Sequence, residues 1–318
     1  MNKIAVWGLG KHSIKNILPA LDKANNLLLH GLYTRDLECK IAHSRKYNCT
    51  GYNNADEMLS DPDLDIVYVA TPPGLHYEQG KNILRSGKHF WCEKPFVTNF
   101  EQAQTISRIA EKNDLSIAEG LMYRYHPQLK FIKTFLESSN IRNIKIINSA
   151  FTLPHTDQPG FRYDPKKGGS TLMDVGVYPI SLIHELMGNE KSKLLLKKNY
   201  SEENYSIDTN GFAIYEFKSG IICKANWGMG SGYRNELDIL TTNSSIFTEK
   251  IFSKPENYSP KIIMKDKFGT ESEINCESDN HFISMFEYFV KLLNDKEERL
   301  KENDRILRLS KILDEVKD

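Results

Sequence analysis

Over roughly its first 120 residues the chain alternates short apolar runs with segments of helical spacing, and this alternation limits its fold more than any other feature. KIAVWG (3–8), LLLHGLYT (27–34), DIVYVAT (65–71), HFWCE (89–93) and LSIAEG (115–120) read as buried strands. The stretch 13–24 places Ile14, Ile17, Leu18 and Leu21 on one helical face, with Pro19 expected to kink or shorten the helix. Further helices are predicted over 36–47, from 55, over 74–87 up to a stop at Gly87, and over 99–113 with Asn99 as cap. Alternating strand and helix implies a parallel sheet with helices on both faces.

The pattern changes near residue 125. HPQLKFIKTFLESS and GSTLMDVGVYPISLIHELMG read as two helices, the second the longer. From 191 to 276 alternating runs such as GFAIYEF, IICKANW, ELDILTT and PKIIMKD are separated by turn residues, as in hairpins. Helices over about 279–294 and 303–317 finish the chain, with KEERLKENDR between them read as a solvated, charged helix boundary. The predicted fold class is α/β plus α+β: a doubly wound parallel sheet over 1–121, then an α+β domain on a large, mostly antiparallel open sheet over 122–318. The terminal helices are free to pack back on the first domain.

Charge narrows the partners. The 318 residues carry 42 Lys plus Arg and 42 Asp plus Glu, so no global field draws in nucleic acid or an anionic membrane. No apolar run is long enough to span a bilayer, and the start reads as a strand rather than a signal peptide. Five widely spaced cysteines, Cys39, Cys49, Cys92, Cys223 and Cys276, fit neither a disulfide framework nor a zinc site, which suggests free thiols and a cytoplasmic setting. Cys92 is weighed as a reactive thiol and preferred as a small apolar filler. No metal is required, since the nine histidines form no ligand cluster.

VWGLGKHS sets Gly8 and Gly10 between the first strand and the first helix. The first glycine suits a tight turn and the second lets backbone approach a pyrophosphate, with Lys11 and His12 opening the helix N-terminus. Ser13 stands where the fingerprint has its third glycine. The plain alternative is an ordinary strand-to-helix turn; the position in the first strand–helix–strand unit favours a dinucleotide. The second strand ends in LYTRD, so Thr34 and Arg35 occupy its tip. An arginine suits a 2′-phosphate, which favours NADP(H) over NAD(H). Alternatively Arg35 is solvated and Asp36 takes the ribose.

FWCEKPF (90–96) puts Glu93 and Lys94 at the carboxyl end of the fifth strand, the edge that faces ligand in such sheets. Glu93 could accept from a ribose hydroxyl, and Lys94 could polarise a carbonyl or help move a proton. Together GLGKHS, TRD, TPPGLHYE (71–78), CEKP, AEGLMYRYHPQ (118–128) and FRYDPKKGGSTLMDVGVYPISL (161–182) resemble the glucose–fructose oxidoreductase / inositol dehydrogenase / rhizopine-catabolism family nearly end to end. The resemblance implies a dinucleotide-binding Rossmann domain over 1–121 and a substrate-binding and oligomerisation domain over 122–318. It implies that Lys94 is catalytic, that Thr71, Pro72 and His76 line the cofactor cleft, and that Phe161 and Arg162 touch the cofactor.

Many members of that family carry a histidine four residues after the aspartate of an Asp-x-Gly motif. Here DVGVYP keeps Asp174 and places Tyr178 there. This resembles the branch with dihydrodiol and xylose dehydrogenases and keto-sugar reductases, in which the tyrosine hydroxyl moves the proton. A spacing of four puts Asp174 and Tyr178 on one helical face. Without the resemblance Tyr178 reads as a core tyrosine with a satisfied hydroxyl and Asp174 as a local cap. Arg124 either binds a substrate hydroxyl or phosphate or ties the two domains together. His184 reads as satisfying a helix end, and Trp227 as either core or interface. The leading expectation is an NADP(H)-dependent oxidoreductase acting on a sugar or keto-sugar, nucleotide-linked in one version, that forms a homodimer or larger homo-oligomer. The alternatives are an aldose or dihydrodiol dehydrogenase and, in another class, a dinucleotide-sensing regulator.

Overall fold

The computed structural model describes residues 1–138, 143–156 and 160–317. The chain forms two compact units, Met1–Leu121 with Phe282–Asp314, and Met122–His281 with the last few residues. In the first, β1 (Asn2–Trp7) leads through a π-helical turn (Ser13–Ile17) into α1 (Leu18–Lys23). There follow β2 (Leu27–Tyr33), α2 (Leu37–Lys46), β3 (Thr50–Gly51), α3 (Ala55–Ser60), β4 (Ile66–Val69), α4 (His76–Arg85), β5 (His89–Glu93), α5 (Phe100–Lys112) and β6 (Ile117–Gly120). The strands run parallel in the order β3-β2-β1-β4-β5-β6. Every residue of β4 is buried, as a strand covered on both faces requires.

The second unit contributes α6 (Pro127–Ser138), β7 (Ile144–Leu153), a π-helical turn (Leu172–Gly176), α7 (Val177–Met187) and seven more strands. These are β8 (Ser192–Tyr200), β9 (Asn210–Phe217), β10 (Ile222–Met229), β11 (Arg234–Thr241), β12 (Ser244–Glu249), β13 (Lys261–Asp266) and β14 (Glu271–Asn275). The sheet order is β14-β13-β12-β11-β7-β10-β9-β8, antiparallel except where β7 meets β10. The sequence reading did not anticipate β7. It lies between two strands that come about 70–90 residues later in the chain, and only those partners make its run a central strand.

Pro19 and Pro179 act alike. Each follows a π-helical turn that contains the residue four positions before it, Lys15 and Val175 respectively. A proline ring collides with the carbonyl four residues back and supplies no N–H, and the wider turn absorbs both defects. The chain therefore changes winding at these two places and stays helical.

Two helices close the chain, α8 (His281–Asn294) and α9 (Lys296–Lys317). In the first unit Phe286 meets Tyr68 edge-on at 5.2 Å and Phe289 meets Trp91 at 5.3 Å, so α8 covers a face of the parallel sheet. KEERLKENDR is not a boundary: Asp295 accepts from the amides of Glu297 and Glu298, and α9 runs on from there without a break. Nor is the stretch fully solvated, because Glu302, Asn303 and Arg305 are buried. No described helix is long and apolar enough to cross a membrane.

Candidate active site

The carboxyl edge of the parallel sheet collects most of the candidates. Gly8 leaves β1 at φ +106°, and a Cβ there would lie 2.9 Å from the carbonyl carbon and oxygen of Ala70 and from Thr71 Cγ2. Only glycine fits this crossing. Gly10 is different: a Cβ on it would meet nothing within 4 Å. Its carbonyl accepts from Ile14 N at 3.1 Å, which starts the helix, and Ser13 is buried beneath. The turn thus presents unobstructed backbone at a helix N-terminus, where the first N–H groups lack intrahelical partners. That arrangement fits a pyrophosphate, held by the backbone from Gly10 to Ser13.

At the end of β2, Arg35 is exposed and makes no side-chain hydrogen bond or ion pair among the described residues. Asp36 caps α2, with Oδ1 accepting from Cys39 N at 3.0 Å. At the end of β4, Thr71 Oγ1 donates to Gln79 Oε1 at 2.6 Å, and Thr71 and Pro72 stay partly exposed. His76, expected to line the cofactor cleft, is completely buried. Its ring nitrogens lie 2.9 Å from the Thr71 carbonyl and 3.0 and 3.2 Å from those of Pro95 and Phe96. Burial pushes its pKa down. The ring is a strut between the turn after β4 and the turn that carries Lys94.

Glu93 Oε1 accepts from Tyr68 Oη at 2.7 Å and lies 3.0 Å from His12 Nε2. Burial alone would raise its pKa; the charge and hydrogen bond of His12 and the Tyr68 hydroxyl outweigh this and hold it below the usual range. A carboxylate from β5 is thereby joined to the first turn of the glycine-led helix. Lys94 follows, half-buried. Cys92 is completely buried, which raises its pKa well above normal, so it is the filler and not a reactive thiol.

In the second unit the π-helical turn and α7 carry the motif DVGVYP. Asp174 Oδ2 accepts from Arg162 Nε at 2.8 Å, and the Arg162 guanidinium lies 5.4 Å from the Phe161 ring centre. A Cβ on Gly176 would come within 2.9 Å of the buried indole of Trp227 on β10. The motif glycine therefore lets this helix rest on the sheet, and Trp227 is core. Tyr178 is set among rings: Phe151 edge-on at 5.2 Å, Phe252 at 5.5 Å and Tyr123 at 6.1 Å, with its hydroxyl 3.7 Å from Met122 Sδ. Arg124 Nε donates to Glu185 Oε2 at 3.1 Å, and Lys133 reaches the other oxygen at 2.5 Å. Burial would raise the Glu185 pKa, but these two cations lower it to about 2. His184 packs edge-on against Tyr215 at 5.0 Å.

Two family models match the chain: "Oxidoreductase family, NAD-binding Rossmann fold" over residues 2–121 and "GFO/IDH/MocA C-terminal domain" over 130–247. The chain belongs to the GFO/IDH/MocA oxidoreductase family. One relative is a dTDP-3,4-didehydro-2,6-dideoxy-alpha-D-glucose 3-reductase of Actinomadura kijaniata, 24% identical over 99% of this chain and 94% of the relative. The 3-ketoreductase KijD10 of the same organism, crystallised with NADP and TDP-benzene, superposes with a TM-score of 0.94 at 23% identity over 99% and 97% of the two chains. Variants of KijD10 with a lysine replaced by glutamate or alanine, or a tyrosine by phenylalanine, have the same fold. An aldose-aldose oxidoreductase from Caulobacter crescentus, complexed with glycerol, gives 0.89 at 18% identity over 99% and 96%.

For this GFO/IDH/MocA chain, the sequence reading missed one group of buried charges. Glu119 on β6 is only 1% exposed. Its Oε1 accepts from Phe96 N at 2.8 Å, and its Oε2 pairs with Arg305 Nη1 of α9 at 3.0 Å. Arg305 also forks onto both oxygens of Glu302, at 2.8 and 2.6 Å. The available signal was a glutamate inside an otherwise apolar strand, which requires a cation from elsewhere in the chain.

Proposed function

We propose that this chain is an NADP(H)-dependent reductase of a keto-sugar carried on a nucleotide, in which Tyr178 and Lys94 handle the hydroxyl proton. The observation that carries this reading lies in the first unit. Trp7, Val69 and Cys92 stand level across β1, β4 and β5, so the glycine turn and the Lys94 turn leave the sheet at the same carboxyl edge. Bound NADPH supplies a hydride to the carbonyl carbon. The phenol of Tyr178 donates the proton that the sugar oxygen then takes, and the Lys94 ammonium favours the phenolate left behind. Arg35 holds the 2′-phosphate, a role supported by its exposure and by the engagement of Asp36 as a helix cap. Further support comes from KijD10, whose replaced lysine and tyrosine are separated by the same number of residues as Lys94 and Tyr178. The sugar class follows the 3-reductase relative.

The test uses a dTDP-linked 3-keto-dideoxyhexose with NADPH, followed by nicotinamide absorbance. Tyr178→Phe should lower kcat by about 10²–10⁴-fold with NADPH affinity unchanged. Equal loss of both would remove the proton role. Arg35→Ala should weaken NADPH binding by roughly tenfold or more, about 1.4 kcal/mol, and leave NADH binding alone; a uniform loss would move the ribose contact to Asp36. Turnover of a free aldose or a dihydrodiol with NADP⁺, with none of the keto-sugar, would overturn the substrate class. Tight NADPH binding with no turnover of any of these would point to a sensor.

A further inference from the structure

We infer that Arg305, near the end of the chain, is a positioning residue for Lys94, acting through Glu119. The inference rests on the reading of Lys94 as a catalytic residue. Lys94 begins the turn between β5 and α5, and the next residues fasten that turn to the interior. Phe96 and Val97 are buried. The Pro95 and Phe96 carbonyls face the ring of His76, and the Phe96 amide donates to Glu119 Oε1. Among the described residues Glu119 is the side chain that takes this amide, and its own orientation is set from the far side.

The two oxygens of Glu119 do different work. Oε1 holds the turn and Oε2 holds Arg305. A buried carboxylate stays ionised and fixed only if paired and hydrogen-bonded. Arg305 supplies the pair, and its fork onto Glu302 fixes the plane of the guanidinium. Glu302 in turn accepts from the backbone amide of Glu119 at 3.4 Å. Helix α9 therefore clamps β6 and, through one carboxylate, the turn bearing Lys94. Without Arg305, Glu119 and Glu302 would face each other as like charges in a buried setting. Glu119 would swing away, and the Phe96 amide would lose its anchor.

The experiment uses the full chain with NADPH bound and compares wild type with Arg305→Gln, Arg305→Lys and Glu119→Gln. Two readouts need no substrate: hydrogen exchange at the Phe96 amide, and the pH profile of Lys94 acetylation by acetic anhydride, with exposed Lys145 of the second unit as internal control. Arg305→Gln should speed Phe96 exchange by roughly tenfold or more and shift the Lys94 profile, with Lys145 unmoved. Arg305→Lys should restore part of the effect. Glu119→Gln, which keeps an acceptor for the Phe96 amide, should disturb Lys94 less than Arg305→Gln does. If Arg305→Gln does not fold, Arg305→Lys carries the test on the same two readouts. A folded Arg305 variant that melts earlier yet shows wild-type Phe96 exchange and Lys94 labelling would overturn the inference and leave Arg305 a stabilising residue only. Lys94→Ala separates the two readings. Wild-type kcat on the keto-sugar in that variant would remove the catalytic reading of Lys94, whereas loss of kcat there with no effect of Arg305 would remove the positioning role alone.

Discussion

Replacing each glycine of the β1 turn by alanine should separate folding from binding. At Gly8 the methyl meets two penalties. A φ of +106° is one that side chains rarely adopt, and the new Cβ would sit 2.9 Å from the Ala70 carbonyl, which is backbone and cannot turn aside. A left-handed conformation costs about 1–2 kcal/mol, and overpacking costs about 1–3 kcal/mol more. The sum, about 2–5 kcal/mol, corresponds to a fall in melting temperature on the order of 10 °C for a unit of this size. At Gly10 neither penalty applies, because no positive φ is involved and the methyl points into open space. Its effect on stability should stay within roughly 0.5 kcal/mol. A methyl there stands where a pyrophosphate must come against backbone, so NADPH affinity should fall by about tenfold or more, roughly 1.4 kcal/mol. Differential scanning calorimetry and a fluorescence titration with NADPH read the two effects. A Gly8→Ala protein that melts with wild type would refute the close crossing at Ala70. A Gly10→Ala protein that binds NADPH normally would refute the cradle.

Glu185, held at about 2 against an ordinary value of 4.5, stabilises the native state above pH 4.5, and this contribution is lost as the pH falls towards 2. The shift corresponds to about 3 kcal/mol; urea unfolding at pH 7 and pH 3 should show a smaller pH dependence for Glu185→Gln than for wild type, and equal dependence would refute the pairing with Arg124 and Lys133. Gly176→Ala should destabilise the second unit by about 1–3 kcal/mol, since the Trp227 indole must move. Chemical denaturation followed by tryptophan fluorescence checks it, and an unchanged midpoint would show that α7 does not need the close approach.

Much of the first unit was legible because its signals are local. A run such as DIVYVAT is apolar throughout since both faces of a parallel strand are covered, and Gly8 and Gly10 announce a turn by what they lack. The candidates Lys94, Asp174 and Tyr178 came from the family resemblance of the short motifs that carry them; by itself the spacing left Tyr178 a core tyrosine and Asp174 a local cap. The burial of His76 was not legible, because a histidine after a Thr-Pro pair looks alike whether it faces a cleft or three buried carbonyls. Strand β7 was passed over because its place in the sheet is set by β10 and β11, far along the chain.

What the residues determined alone is the alternation of strand and helix, the turn geometry at Gly8, and the side chains available at the carboxyl edge. What only the tertiary structure decided is which charges go inside. KEERLKENDR has the composition of a solvated helix face, and nothing within it marks Glu302 and Arg305 for burial. They are buried because Glu119, some 180 residues earlier, brings a carboxylate into the interior that must meet a cation. A charge can be buried only with its partner, and the partner of a residue on β6 is chosen by packing, not by neighbours in the chain.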